Sequence, residues 1–239
     1  MARLAVALAV LLATAGCGAP AGAGADRTTL APGVTADGIV NASALADAHR
    51  ARLRSHSFTM HRRYVQRVAG AGYRIAHDQT LRVGPGGAFS YVHRVTGREN
   101  GTPIERTTRV YAAGETVWVR RSNGTGASVE RHPRDEFPFG PTDYWAVRHV
   151  AVLPPADLVA VESRPGGRRY RLVYRHRNPA GAPGEWNETT RILLRESGLV
   201  ARIDTTADTP RAAGHLYLDV HLAYVRVGNT TVDRPAWAG

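Results

Sequence analysis

The residues able to carry catalysis in this 239-residue chain are few and scattered. Ten histidines are spread between His49 and His221, and the single cysteine is Cys17. The sequence has no Gly-x-Ser-x-Gly nucleophile turn and no His-Glu-x-x-His zinc motif. A phosphate-binding loop ending in Gly-Lys is also excluded, because all 31 basic residues are arginine. We therefore expect no catalytic residues, no cofactor and no enzymatic activity, and a hydrolase with an unrecognised site is the least favoured hypothesis.

The strongest candidate for a metal site is the pair Asp219 and His221. Side chains two residues apart in a strand lie side by side, so both could reach one ion. Two ligands make a weak site, and a solvated polar face explains the pair better. Asp135 and Glu136 adjoin each other in a predicted loop, where carboxylates are usually solvated. We expect no metal site.

The N-terminus carries the most specific signal. Arg3 precedes an apolar run from Leu4 to Ala13, which is too short to span a bilayer and is typical of a signal peptide. The small residues before Cys17 resemble the lipobox of bacterial and archaeal lipoproteins, in which the thiol receives a lipid and the cut falls directly before it. This resemblance implies that residues 1–16 are a signal peptide and that Cys17 anchors the chain to the extracytoplasmic face of the membrane. The alternative is an ordinary secretory signal with Cys17 incidental.

The remainder of the chain has the composition of a folded domain. Residues 17–33 begin with a small, uncharged Gly/Ala/Pro segment typical of a flexible tether, and residues 34–239 contain no further linker. Hydrophobic residues make up 43% of the chain, which is enough for a core. The formal net charge of +11 favours anionic lipids or acidic glycans as partners. Without any nucleic-acid-binding motif, we expect no nucleic acid partner.

The pattern of apolar residues predicts one helix followed by many strands. Asn41 can cap a helix from Ala42 to Ser55. Five strands are expected before a central gap: Phe58–Val68, Tyr73–Val83, Ala88–Val95, Ile104–Tyr111 and Thr116–Arg121. Five more are expected after it: Leu158–Glu162, Arg169–Arg177, Asn187–Arg195, Leu199–Thr205 and His215–Val227. In the gap, Thr142 can cap a short helix that contains Tyr144, Trp145 and Val150.

Alternation within the strands indicates antiparallel pairing. Apolar residues from Leu216 to Tyr224 fall on one face of the last strand, while Tyr217, Asp219 and His221 fall on the other. Turn sequences such as Asn123-Gly124 separate the strands. The predicted fold class is α+β, with one large, strongly bent antiparallel sheet of about ten strands and the two helices on its concave side.

Two stretches resemble a family of uncharacterised haloarchaeal lipoproteins. The first combines Gly33-Val-Thr-Ala-Asp-Gly-Ile39 with the helix phrase that begins at Asn41 and with Ser57-Phe-Thr59. The second is Tyr111-Ala-Ala-Gly-Glu-Thr-Val-Trp-Val119. The order of helix and sheet is also similar to the LolA-like half-barrel of lipoprotein and lipoglycan carriers. This resemblance implies an archaeal host and a concave apolar pocket for acyl chains.

These observations lead to a functional hypothesis with one alternative. The leading expectation is a lipoprotein that binds or carries a lipid-like apolar ligand. The residues expected near such a pocket are Trp118, Trp145, Tyr170, Leu172, Leu218 and Leu222. The alternative is a structural or interaction protein of the cell envelope, which contacts acidic glycans or anionic lipids through its arginines. Glycosylation is expected at the sequons of Asn100, Asn123 and Asn229, while those at Asn41 and Asn187 could be structural.

Overall fold

The computed structural model of the chain describes residues 28–70, 72–99, 101–137, 141, 148–177, 186–211 and 214–239. A short hairpin of β1 (Val34–Thr35) and β2 (Gly38–Ile39) precedes helix α1 (Ala42–Arg54). The next six strands are β3 (Phe58–Val68), β4 (Tyr73–Val83), β5 (Phe89–Glu99), β6 (Thr102–Ala113), β7 (Thr116–Ser122) and β8 (Ala127–Pro133). After helix α2 (Arg148–Ala151) come β9 (Asp157–Arg164), β10 (Gly167–Arg177), β11 (Asn187–Arg195), β12 (Val200–Arg211) and β13 (Gly214–Val225).

Strands β3 to β13 form one antiparallel sheet of eleven strands, in the order β8-β7-β6-β5-β4-β3-β13-β12-β11-β10-β9. Two meanders therefore lie side by side, and β3 pairs with β13 where they meet. The sheet is not closed, because β8 and β9 are its two edges. The predicted fold class is confirmed: a large, open antiparallel sheet with two helices.

Helix α1 is built as the sequence predicts. The side chain of Asn41 caps it by accepting a hydrogen bond from the backbone N–H of Ala44 at 3.0 Å. Residues at helical spacing, Leu45, His49 and Leu53, are buried against the sheet. His49 fixes the helix to β12, because its Nδ1 accepts the backbone N–H of Val200 at 3.3 Å. The predicted N-terminal part of the second helix, including Trp145, lies outside the described residues.

We call the sheet face that carries α1 the core face, which is the concave side of the prediction, and the opposite face the outer face. The core face supplies the largest fully buried side chains of the sheet: Phe58, Met60, Leu81, Phe89, Tyr170, Leu172, Leu194 and Leu222. They come from one end of each strand, so the core fills only that end of the sheet. Burial of each of these side chains contributes about 1.5–3 kcal/mol to the free energy of folding.

Gly97 marks a close approach between β4 and β5. Its φ is +151°, and a Cβ built there would lie 1.9 Å from the carbonyl oxygen of Arg74. Glycine inside a strand commonly accompanies a bend or a close backbone contact.

No helix in the described part of the chain is long and apolar enough to cross a membrane.

Candidate functional site

The core face is divided into a packed half and an open half. In the packed half, Met60, Leu81, Tyr91 and Tyr224 are almost fully buried beneath α1. Beyond them, most core-face side chains of the same strands are only half-buried, although Ile75 of β4 is buried at 9% exposure. This open half includes Tyr64, Val68, His77, Val95, Leu216, Leu218 and Val220. The core face therefore changes from a closed core to accessible surface along the length of each strand.

The register of the sheet places polar groups where the two halves meet. Across the central strands, Leu222 of β13 faces Arg62 of β3, Arg62 faces Gln79 of β4, and Gln79 faces His93 of β5. These side chains lie on one face, because directly paired residues project to the same side of a sheet. One row further into the open half, Val220, Tyr64, His77 and Val95 are paired in the same way.

Arg62 places a positive charge where the packed and open halves of the core face meet. Its Nη1 donates a hydrogen bond to Oε1 of Gln79 at 3.2 Å, and its Cζ lies 5.4 Å from the centre of the Tyr64 ring. Its Nε is buried and has no hydrogen-bond acceptor among the described residues. Burial lowers the pKa of the guanidinium, but arginine stays protonated in proteins. Within the described ranges, no salt bridge joins Arg62 to a carboxylate, and the charged side chain that affects its pKa most is another cation, Arg148.

Two histidines lie next to Arg62. Nδ1 of His77 and Nε2 of His93 share a hydrogen bond of 3.0 Å, and the two rings are stacked at 5.3 Å. Tyr64 contacts His77 edge-on, with ring centres 5.4 Å apart. Burial lowers the pKa of both imidazoles, and the charge of Arg62 lowers both further. The pair is therefore favoured as neutral rings, one donating its N–H to the other.

Helix α2 adds a third histidine to the same boundary. Burial and, to a smaller extent, the positive charges of Arg62 and Arg148 together lower the pKa of His149 to about 4. The next residue, Val150, is fully buried in the core. The short helix is thus held by Val150 and presents His149 close enough to Arg62 to sense its charge.

The predicted pocket residues fall in different parts of the molecule. Leu218 is half-buried in the open half, where a ligand could reach it. Tyr170, Leu172 and Leu222 are on the core face but lie at 0–1% exposure inside the packed half, and the Tyr170 hydroxyl donates to the carbonyl of Leu30 at 3.0 Å. They are core residues in this structure.

Trp118 corrects the prediction. Its neighbours Val117 and Val119 enter the core, so alternation along β7 turns Trp118 to the outer face. There it packs against Tyr111, with ring centres 5.6 Å apart, and the guanidinium carbon of Arg234 lies 5.1 Å from its ring centre. Trp118 therefore cannot line a pocket on the core face.

The outer face carries a row of exposed arginines. Arg67 of β3 is directly paired with Arg74 of β4, and Arg74 with Arg98 of β5. We call these three residues the arginine ladder, and all three are exposed. A surface cavity of about 650 Å³ adjoins it, with Arg63, Arg67, Arg74, Asp208 and Asp219 in its lining. Like charges directly opposite each other are unfavourable in a sheet, so the arginine ladder would be stabilised by a bound anion.

The expected absence of a metal site was argued from Asp219 and His221. The structure places His221 against Asp204 instead, with Nδ1 and Oδ1 2.5 Å apart. Among the residues described, no group of three or more His, Cys, Asp or Glu side chains is arranged to hold a metal ion.

Two of the predicted glycosylation sites can be located. Asn123 is exposed in the turn between β7 and β8, and its side-chain oxygen accepts a hydrogen bond from the Thr125 hydroxyl at 3.0 Å. Asn229 is also exposed, after β13. Asn100 and the predicted anchor Cys17 lie outside the described residues. Use of these sequons stays a prediction.

Solved structures resemble this chain only distantly. No protein-family model matches the sequence, and no curated protein matches it significantly. LprF from Mycobacterium bovis superposes with a TM-score of 0.43 at 14% identity, covering 83% of this chain and 97% of that one. A LolA superfamily protein from Nitrosomonas europaea gives 0.27 at 10% identity, covering 82% and 96%. Each TM-score lies below 0.5, so the function has to be inferred from the residues of this chain.

Proposed function

We propose that this chain is an extracytoplasmic lipoprotein, anchored through Cys17, that binds or carries an amphiphile whose apolar chain lies on the open half of the core face. One observation carries the proposal. Leu216, Leu218 and Val220 of β13, together with Val95 of β5, present apolar side chains that remain half-buried on a face whose other half is a closed core. Tyr64 and His77 lie between Val220 and Val95 on the sheet. Accessible apolar surface of this kind commonly marks a binding site.

The energetics of an acyl chain fit such a surface. Each methylene removed from water contributes about 0.8 kcal/mol, so ten buried methylenes contribute roughly 8 kcal/mol before the entropy of association is subtracted. The open half needs no catalytic group for this task. Reversible binding of moderate strength suits a protein that has to release its ligand as well as hold it.

A pair of neighbouring substitutions tests the binding surface. Leu218→Asn places an amide on the open half, whereas Asp219→Asn changes the next side chain, which points to the outer face. We expect Leu218→Asn to weaken binding of the uncharged probe N-phenyl-1-naphthylamine about fivefold to tenfold, because it removes roughly 1–1.5 kcal/mol of apolar contact. Fluorescence titration of the purified full-length chain measures the effect.

The control and the contradicting results are equally direct. Asp219→Asn should bind the probe as the wild type does. Wild-type affinity in the Leu218→Asn variant would place the probe elsewhere on the molecule. A wild-type chain that does not bind the probe would overturn the proposed function.

The arginine ladder favours a second candidate function, an envelope protein that contacts acidic glycans or anionic lipids. Three exposed cations, paired side by side on neighbouring strands, form a compact cationic surface that can contact anions. In the Cys17→Ser form, which lacks the proposed lipid anchor, replacing Arg67, Arg74 and Arg98 by Gln should abolish cosedimentation with phosphatidylglycerol vesicles at low salt. Raising the salt should have the same effect when the three arginines are present. Cosedimentation that is unchanged by salt and by the substitutions would exclude this function.

A further inference from the structure

The boundary between the packed and open halves holds a charge that the proposed function does not use. Arg62 projects from the core face among apolar and aromatic side chains, and its Nε is buried without an acceptor in the described part of the chain. A buried donor left without a partner is unfavourable, and a buried charge without a counter-charge more so. The guanidinium also has a planar set of donors that suits carboxylate and phosphate oxygens.

The groups around Arg62 can act as further donors, and none of them is a carboxylate. Gln79 accepts from one Arg62 nitrogen through its side-chain oxygen, which leaves its amide N–H groups to donate elsewhere. Each neutral imidazole of the His77–His93 pair carries one N–H, and only one of these two N–H groups is used in their mutual hydrogen bond. His149 on α2 lies close enough to Arg62 for the charge of Arg62 to lower its pKa. The described surroundings of Arg62 therefore supply donors and positive charge.

The apolar residues of the open half begin one row away. Val220 is paired with Tyr64, two residues along β3 from Arg62, and Leu218 with Gln66 two residues further. At about 3.3 Å per residue, the step from Arg62 to the Leu216 row spans about 20 Å of strand. That length accommodates an extended apolar chain of a dozen or more carbons.

From this arrangement, and resting on the proposed function, we propose that Arg62 binds the acidic headgroup of an anionic amphiphile, a phosphate or carboxylate, whose apolar chain runs outward over Val220 and Leu218. Gln79 and the histidine pair complete the headgroup site as hydrogen-bond donors. The specificity of the protein is thereby set at Arg62, and its affinity for the apolar chain is set along β13.

Three probes separate headgroup recognition from apolar binding. Dodecyl phosphate carries both features, dodecanol has only the apolar chain, and inorganic phosphate has only the anion. Calorimetric titration of the delipidated full-length chain should show dodecyl phosphate binding at least tenfold more tightly than dodecanol. Inorganic phosphate should bind far more weakly than either, because it lacks the apolar chain.

Neighbouring residues again provide a matched control. Arg62→Gln should reduce the affinity for dodecyl phosphate to that for dodecanol, while the affinity for dodecanol stays unchanged. Arg63→Gln removes the adjacent arginine, which lies on the outer face 3.8 Å from Asp78, and should keep the preference. Arg62→Lys retains the charge but not the planar fork, and should keep part of the preference.

The outcomes are distinguishable. Equal wild-type affinities for dodecyl phosphate and dodecanol would overturn the headgroup site and leave the proposed function intact. Binding of neither amphiphile would overturn the proposed function itself. Inorganic phosphate binding as tightly as dodecyl phosphate would mean a free-anion site and contradict the inference. If Arg62→Gln fails to fold, comparing the affinities of the wild-type chain for the three probes still tests the headgroup site.

Discussion

Arg62 and Arg63 are neighbours in sequence with different surroundings. Arg62 faces the core side of the sheet, where its Nε is buried among aromatic rings and Gln79. Arg63 faces solvent on the outer side, within reach of Asp78. Alternation along β3 alone separates a half-buried cation without a salt bridge among the described residues from an ordinary surface charge worth little to stability. The difference explains why one of the two is assigned to ligand binding.

His149 predicts a pH dependence of stability. Its pKa is about 4 in the folded chain and 6.5 when unperturbed, so the unfolded chain binds more protons between these values. Stability is therefore full above pH 6.5 and is lost as the pH falls towards 4. Between pH 7.5 and pH 5 the loss attributable to His149 is on the order of 2 kcal/mol.

Urea unfolding at the two pH values measures this loss. The pKa values of His77 and His93 are lowered as well, so the loss of stability in the wild type includes their contribution. His149→Gln should reduce the difference between pH 7.5 and pH 5 by the share of His149. A variant with the same pH dependence as the wild type would show that His149 is not buried beside Arg62.

Within the candidate site, the sequence indicates which sheet face a side chain occupies where apolar and polar residues alternate regularly along a strand. Leu218 was expected near a ligand pocket, and regular alternation along β13 places it half-buried on the core face, where that expectation stays a prediction. Trp118 was expected near the pocket because it is apolar, but its parity along β7 places it on the outer face. Arg62 was missed, yet it shares parity with Phe58, Met60 and Tyr64, which was the available signal. The distinction between the packed and open halves depends on where α1 lies, and no local pattern encodes that.

At the scale of elements, the cap of α1 is a single side chain that can be tested. Asn41→Ala removes the acceptor for the Ala44 N–H and should lower the free energy of unfolding by about 1 kcal/mol. Asn41→Asp keeps an acceptor in the same place and should retain wild-type stability, while also removing the sequon. Chemical unfolding measures both variants. Equal losses in the two variants would contradict the role of Asn41 as a cap.

Elements with strong local patterns were predicted closely. The bounds of β3, β4 and β11 match the prediction, and α1 ends one residue before the predicted Ser55. Strand β8 was missed because all but one of its residues are exposed, so it shows no apolar alternation. Strand β12 extends beyond the predicted Thr205 to Arg211 through a polar segment that contains Pro210. Both errors arise where pairing with a neighbouring strand, and not side-chain burial, holds the backbone in place.

At the scale of the whole molecule, the sheet depends on one non-local pairing. Strand β3 is paired with β13 from Thr59↔Val225 to Val68↔Leu216, which joins the two meanders into one face. Local sequence predicts hairpins between consecutive strands, but it does not specify which distant strands meet. The continuous core face, and with it the boundary at Arg62, exists because of this pairing.

The proposed anchor makes a prediction about location. Cys17→Ser removes the only thiol of the chain and should move the protein from the membrane fraction to the soluble or secreted one. The fold should be unaffected, because Cys17 precedes the tether and the domain. Fractionation of cells expressing each form, followed by immunoblotting, measures the distribution. A serine variant that stays fully membrane-bound would contradict the anchor.

The central claim is that the open half of the core face holds an amphiphile. The most direct measurement is mass spectrometry of an organic extract of the full-length chain purified from its native host without detergent. The Cys17→Ser form serves as the sample, so that membrane fragments do not accompany the protein. The proposal predicts a copurifying anionic amphiphile near one molecule per chain, reduced in the Leu218→Asn variant. An extract without any amphiphile, from a chain shown to be folded, would contradict it.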